Sequence, residues 1–421
     1  MIRERTSVTA VLVATCALCV AHGQIRSAPP ITIDQAIGEA LDHNLNLLAE
    51  RFNVDVAGAA VITAGLRPNP VVTASIMRPD QSLVDAGISP DEQVFRTDYT
   101  LERGDKRERR LVQAGLAKSV LSLQLANTAR TLRLEVESAF VDLLLVKRNL
   151  SLSQDNLKAF NDVVRINTER VRTGDLSAVE LSRSRLAALQ FQNDVRQQET
   201  KLRTSKNRLS TLLGRGPEGD ALDVIGDLRK DVVPIDYEQL RLLALDARPD
   251  VRALRADQAR SAADTRLQLA NSVIDYTISG EYHRQEGSDV RGNSYGLFFS
   301  APLPIFSRNQ GEIARAQVQQ QQARAKVHAL EQEIATEAAN AYAEYAAARD
   351  IVATIETQML TTATDVRTTT EYSYRRGEAS FVELLDAVRA YNDTMQSYNE
   401  ARAGYARSLY SLDSIAGKVT P

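Results

Sequence analysis

Two segments of this chain, about two hundred residues apart, carry one pattern. The first reads Arg172-Thr173-Gly174-Asp175-Leu176-Ser177-Ala178-Val179-Glu180-Leu181, and the second runs from Tyr374 through Arg376-Gly377-Glu378-Ala379-Ser380-Phe381-Val382-Glu383-Leu384 to Asp386. Gly377 answers Gly174, Ser380 answers Ser177, Glu383 answers Glu180 and Leu384 answers Leu181. Each glycine interrupts a very long helical pattern, so the chain is an internal duplication of long helical units broken at the same place.

Pairing Gln35 with Gln239 and Asn44 with Arg248 extends the duplication over most of the chain. It gives a first copy over 24–214, a second over 235–417 and a short tail over 418–421. Between the copies, 215–234 holds Arg215-Gly216-Pro217-Glu218-Gly219 and Pro234, turn-rich punctuation that reads as a linker. Each copy reads helix, strand pair, very long helix, breaker, long helix.

In the first copy, Ile33 to Leu66 is expected to be helical, with Ile37, Leu41, Leu45 and Leu48 at helical spacing and Leu66-Arg67-Pro68-Asn69-Pro70 ending it. From about Arg103 to Arg172 only Gly104 and Gly115 interrupt a helix of roughly 70 residues, about 100 Å long at about 1.5 Å per residue. Its stripe of Leu132, Val136, Phe140, Leu143 and Leu144 must be covered by neighbouring helices. The second copy repeats this from Gln310 to Arg375, with a stripe of mostly small residues: Ala335, Ala338, Ala339, Tyr342 and Ala346. Such a stripe suits close helix packing.

Strand signals have a period of two. Asp275, Thr277, Ser279, Glu281 and His283 alternate with Tyr276, Ile278, Gly280 and Tyr282, and Tyr295, Leu297 and Phe299 repeat the pattern. Phe95, Thr97, Tyr99 and Leu101 alternate with Arg96, Asp98 and Thr100, and Val72, Ala74 and Ile76 give a weaker partner. The strand pairs fall at 70–101 and 273–301.

Residues 1–23 read as an export signal: Arg3 and Arg5, an apolar run from Val8 to Val20, then Ala21-His22-Gly23. The run is too short to serve as a spanning helix. Cys16 and Cys19 both fall inside it, so a mature chain has no disulfide or thiolate site. Acylation of Cys16 or Cys19 is the competing reading, disfavoured by Thr15 and Leu18 before them. Without the leader the formal charge moves from -3 to about -4, which gives no global field for nucleic acid.

No other segment is long and apolar enough to span a bilayer as a helix, so a chain that enters a membrane must do so as strands. Four strands cannot close a barrel, and open strand edges are not tolerated in lipid, so closure requires several chains. The expected fold is therefore mainly α, with long helical hairpins forming a coiled-coil tunnel and four strands per chain contributing to a membrane β-barrel. The alternative is an exported coiled-coil structural or adhesion protein whose small sheet packs on its own helices.

The duplicated layout, the Leu66 to Pro70 junction and both glycine turns resemble the TolC superfamily of outer-membrane efflux proteins over essentially the whole mature chain. The second junction, Pro302-Leu303-Pro304-Ile305-Phe306-Ser307-Arg308-Asn309-Gln310-Gly311, looks like that of the CzcC-type branch, which serves heavy-metal and cation efflux pumps. The resemblance implies a homotrimer in outer-membrane lipid, one twelve-stranded barrel, and helices continuing as a tunnel in the periplasm. It also implies two partners, a periplasmic adaptor (membrane fusion protein) and an inner-membrane RND-type pump. Organic-drug efflux and type I protein secretion lie within the same family.

Carried over by motif position, Glu383 and Asp386 match the family's paired acids after the second glycine turn, and Glu180 matches the acid after the first. Tyr374 matches a tyrosine that helps tie the closed periplasmic entrance. A spacing of three puts Glu383 and Asp386 on one helix face, and a threefold assembly would make carboxylate rings that favour cations. As isolated residues they would read as ordinary acids near a helix N-terminus, where the helix dipole favours them. Ala379 stands where some members carry a basic residue that locks the entrance, so a lock here is expected to use other partners, with Arg375 and Arg376 the candidates. The turns, at Arg172, Gly174, Ser177, Arg376, Gly377 and Ser380, are where the family meets an adaptor, although a purely structural hairpin would use the same residues.

His43, His283 and His328 are far apart, and Met77, Met359 and Met395 form no cluster, so no metal site and no cofactor are expected. No nucleophile elbow or phosphate loop is present, and the chain reads as no enzyme.

Overall fold

The computed structural model describes residues 29–87, 90–216, 222–232, 236–287 and 291–418. The expected export signal with Cys16 and Cys19, and Pro217 to Gly219 and Pro234 of the expected linker, lie outside the described residues. The first half runs α1 (Ile33–His43), α2 (Leu45–Ala64), β1 (Val71–Met77), a short α3 (Gln81–Asp85), β2 (Asp91–Leu101), α4 (Lys106–Thr173) and α5 (Ala178–Leu212). The second runs α6 (Tyr237–Ala247), α7 (Pro249–Asn271), β3 (Tyr276–Glu286), β4 (Arg291–Ser300), α8 (Gln310–Thr354), a π turn (Ile355–Met359), α9 (Leu360–Arg376) and α10 (Phe381–Ile415).

The helix expected over Ile33 to Leu66 is two helices, broken at Asn44. Asn44 is extended (φ -64°, ψ 122°), and its side-chain oxygen accepts from the amides of Asn46 and Leu47, both at 3.1 Å. Its side-chain nitrogen donates to the carbonyl of Leu212 at 2.9 Å, so the cap that starts α2 also ties it to the end of α5. Arg248, its partner in the duplication, adopts the same conformation (φ -62°, ψ 130°) between α6 and α7. It anchors its corner by charge, donating to Asp250 at 2.7 Å and to Glu337 on α8 at 2.6 Å.

The helix α4 is 68 residues long, about 100 Å. Its predicted stripe is buried: Leu132, Val136, Phe140, Leu143 and Leu144 pack in one cluster with α1, the end of α5 and α10. The second copy differs in two ways. Its long helix is interrupted by a π turn that contains neither glycine nor proline, where α4 has none. Its buried stripe is Ile334, Ala338, Ala341 and Tyr345, a quarter-turn away from the expected set, of which Ala339 is exposed. Alanine is tolerated on either phase, and the larger Ile334 and Tyr345 decide which face turns inward. The segment between the copies is packed rather than free where it is described. Leu222, Val224 and Leu228 join the α4 cluster, and Lys147 donates to Asp223 at 2.8 Å.

The four strands form one antiparallel sheet in the order β1-β2-β3-β4. Directly opposed residues share a face, so the register sorts the side chains into two sets. Ala74, Phe95, Tyr282 and Tyr295 lie in one row and Tyr99, Ile278 and Phe299 in another, making an apolar face on which Tyr295 and Leu297 are 82% and 89% exposed. The opposite face is mostly polar, with the Phe298 ring 5.3 Å from the Arg96 guanidinium. There Arg96 donates to Asp98 at 2.8 Å, Ser279 donates to the same carboxylate at 2.5 Å, and His283 lies 3.7 Å from Glu92. Among the described residues, the outer strands β1 and β4 each keep one unpaired edge. No helix among the described residues is long and apolar enough to cross a membrane.

The backbone turns from sheet to long helix at Asp105 (φ 56°) and Asn309 (φ 62°), both left-handed and equivalent in the duplication. Asp275 clamps the first junction, accepting from the Arg103 amide at 2.9 Å and from Lys106 at 2.7 Å.

Two glycines separate backbone strain from packing. A Cβ at Gly214 (φ 74°) would lie 2.2 Å from the carbonyl oxygen of His43, whereas one at Gly174 (φ 85°) meets nothing within 4 Å. Gly174→Ala should cost only left-handed strain, about 1 kcal/mol. Gly214→Ala adds a backbone clash of about 1–3 kcal/mol. The thermal midpoint in detergent should therefore fall further for Gly214→Ala, and equal shifts would contradict this packing.

Candidate functional site

The two hairpin tips are built alike. At the first, the amide of Gly174 donates to the carbonyl of Val171 at 3.2 Å and that of Asp175 to Arg170 at 2.8 Å. At the second, Gly377 (φ 82°) donates to Tyr374 at 3.0 Å and Glu378 to Ser373 at 2.9 Å. These paired bonds close a helix end when one residue is left-handed, which is why glycine stands at both. The returning helices are capped by serine: Ser177 accepts from the Glu180 amide at 3.2 Å and Ser380 from the Glu383 amide at 3.3 Å.

The side chains then diverge. The Glu383 carboxylate folds back to accept from the Ser380 amide at 2.7 Å and its hydroxyl at 3.0 Å, completing a capping box. Those bonds, the amide's first, hold its carboxyl below the ordinary value of 4.5. Glu180 and Asp386 form no such box. Asp386 is exposed and has no hydrogen bond or ion pair among the described residues. Arg172 pairs with Glu169 at 2.8 Å on its own helix. The expected lock partners are also turned along their own helix: Arg375 pairs with Glu371 at 2.9 Å, and Arg376 stacks 4.5 Å from the ring of Tyr372.

Tyr374 is the buried centre of this region, 4% exposed. Its hydroxyl donates to the side-chain oxygen of Asn167 at 2.7 Å, and its ring packs edge-on against Phe381 at 6.4 Å. Phe160, Phe191, Leu384 and Val388 complete an apolar cluster at the tips, and Ala379 is half-buried against it. A basic side chain at 379 would start from that apolar contact, so its absence fits the packing. Burial pushes the Tyr374 phenol up; the bond to Asn167 and then the charge of Arg170 pull it down, and Glu180 lies close enough to push it up again. The cluster is thus built around Tyr374, with Glu180, Glu383 and Asp386 outside it.

Two residues that sequence reasoning did not single out meet Tyr374 from α4. Asn167 is fully buried, and its side-chain nitrogen has no partner among the described residues. Arg170 sits 5.7 Å from the tyrosine ring, and its guanidinium donates to the carbonyl of Arg375 at 2.8 Å and to that of Tyr374 at 3.4 Å. Each is one polar residue in a long, largely polar helix, with its partner more than two hundred positions away. Only an asparagine on an otherwise buried face could have signalled the first. Among the described residues no three His, Cys, Asp or Glu side chains converge as a metal-binding group.

A family model described as outer membrane efflux protein matches residues 36–215 and 240–418. The chain belongs to that family. It is 22% identical over 393 residues to the cobalt-zinc-cadmium resistance protein CzcC of Cupriavidus metallidurans, covering 93% of this chain and 91% of that protein. Nodulation protein T of Rhizobium leguminosarum bv. trifolii is 25% identical over 328 residues, 74% of this chain and 68% of that protein. Among solved structures, a membrane protein from Pseudomonas aeruginosa aligns with a TM-score of 0.78 at 18% identity, covering 91% of this chain and 93% of that one. CusC aligns with a TM-score of 0.74 at 17% identity, covering 91% of this chain and 92% of that one. The family resemblance read from the sequence therefore holds, and the CzcC likeness noted at one junction extends along the chain. This efflux protein has the mainly helical, part-β fold of outer-membrane channels.

The capping box gives a pH prediction. Because the folded value of Glu383 is depressed, its contribution is present above its ordinary value of 4.5 and is lost as pH falls through the lowered one. Glu383→Ala should lower the thermal midpoint at neutral pH, and the gap from the parent should close in acid below 4.5. A gap that persists in acid would remove the ionised cap from the account.

Proposed function

We propose that three copies of this chain close a twelve-stranded barrel in the outer membrane and a helical tunnel in the periplasm below it. The assembly is the passive exit duct of a tripartite efflux system. An inner-membrane RND-type pump drives the cargo, and a periplasmic adaptor meets the tips at Arg172, Gly174, Ser177, Arg376, Gly377 and Ser380. The cargo is heavy-metal or other cations.

The sheet carries this reading. An apolar face of exposed aromatic residues backs a charged face, and both edges are unpaired, a combination that suits a closed barrel with lipid outside and water inside. The cargo class is supported by the likeness to CzcC over nearly the whole chain. Tyr374 ties the entrance, and Glu180, Glu383 and Asp386, repeated three times around it, draw cations to the narrow end. Glu180 and Asp386 are the freer acids, since Glu383 is engaged by Ser380.

Single-channel recording tests the gate. Combining Glu180→Gln with Asp386→Asn should lower the preference for cations over anions by roughly twofold or more. Glu383→Gln, which keeps the cap, should add to the change. Unchanged selectivity in the combined variant would remove these acids from the gate. Extraction from membranes by salt alone, rather than by detergent, would overturn the barrel.

A further inference from the structure

Ala379 stands where some family members carry a basic residue, and a cation reaches the second tip from the other hairpin. We infer that Arg170 is the positioning residue of the entrance tie and couples the two tips mechanically. This rests on the reading of Tyr374 as part of the gate.

The guanidinium of Arg170 spans from α4 to the last turn of α9, donating to the carbonyls of Arg375 and Tyr374. Both carbonyls lie in the last turn of α9, where that of Tyr374 also accepts from the Gly377 amide, and the negative end of the helix dipole favours a cation there. A planar fork of donors fits two adjacent carbonyls in a way that a lysine ammonium does not. One turn earlier on the same face, Asn167 accepts from the Tyr374 hydroxyl. The helix α4 therefore grips Tyr374 at both ends, its main chain through Arg170 and its ring hydroxyl through Asn167. Any movement that parts α9 from α4 must break both contacts.

Arg170 also belongs to the first turn. Its own carbonyl accepts the amide of Asp175, one of the two bonds that close the turn at Gly174. One residue thus closes the first tip with its main chain and caps the second with its side chain. A partner that shifts the first turn pulls directly on the bonds that hold Tyr374. The contact is not duplicated, because the repeat places Ser373 opposite Arg170, and a serine has neither the length nor the charge to make a second one. The nearby cations cannot substitute, since Arg375 is paired with Glu371 and Arg376 lies on Tyr372.

The test uses the full assembly in planar bilayers with Arg170→Gln, Arg170→Lys, Tyr374→Phe and Arg170→Gln combined with Tyr374→Phe. Assembly of each variant is checked in detergent. Arg170→Gln should raise the open-to-closed ratio at least roughly tenfold, the loss of one charge-assisted bond, with Arg170→Lys in between. The double variant should open no further than the stronger single one, because both contacts serve one tie. If Tyr374→Phe opens the duct while Arg170→Gln and Arg170→Lys behave as the parent, the inference about Arg170 fails and the gate stands. If none of the four changes opening, the gate reading falls with it. Fully independent effects in the double variant would also overturn the coupling. Should Arg170→Gln not assemble, Arg170→Lys against the parent decides alone.

Discussion

In lipid, every strand amide and carbonyl must find a partner, and a four-stranded sheet with free edges at β1 and β4 does not supply them. The other features of the chain follow from that constraint. In the proposed barrel, copies of the chain close the sheet into a wall with an inside and an outside, which is how the register distributes most of its polar and aromatic side chains. Each strand hairpin runs straight into helices, so closure of the sheet gathers the helices into a ring as well. A 68-residue helix cannot hold its length alone. In the proposed assembly, where it packs beside its duplicate and the neighbouring copies, it is one stave of a tunnel.

Duplication gives this wall two tips with the same backbone and different side chains. The glycine turns and serine caps coincide almost bond for bond, because both solve one problem, reversing a helix within a few residues. What differs is where the polar groups go. The first tip keeps Asn167 and Arg170 facing across to its neighbour. The second contributes the tyrosine and the carbonyls they hold. In the proposed duct, the bonds between unlike tips, rather than the turns themselves, would set how firmly the narrow end stays shut.

Much of this was legible in the sequence wherever the signal is local. Period-two alternation found the four described strands, and a left-handed helix end favours glycine, so both turns stood out. Features that depend on distant partners were not legible. The apolar spacing continues through Asn44, and only its bond to Leu212 shows why the helix breaks there. The π turn at Ile355–Met359 carries no breaker residue. The alanine-rich face of α8 has no phase of its own until Ile334 and Tyr345 are placed. At the tips, motif position brought out Glu383 and Asp386, yet local capping claims the first, and the contacts of Tyr374 come from α4.

The central claim is that sheet edges of separate copies meet. The only cysteines, Cys16 and Cys19, lie in the expected leader, so cysteines introduced along β1 and β4 would be the only thiols of a processed chain. Mild oxidation of such variants in the membrane, followed by a denaturing gel, reads the closure directly. The account predicts cross-linking between chains that builds a ladder ending at three. Cross-links that form only within one chain, or a ladder that runs past three, would contradict it.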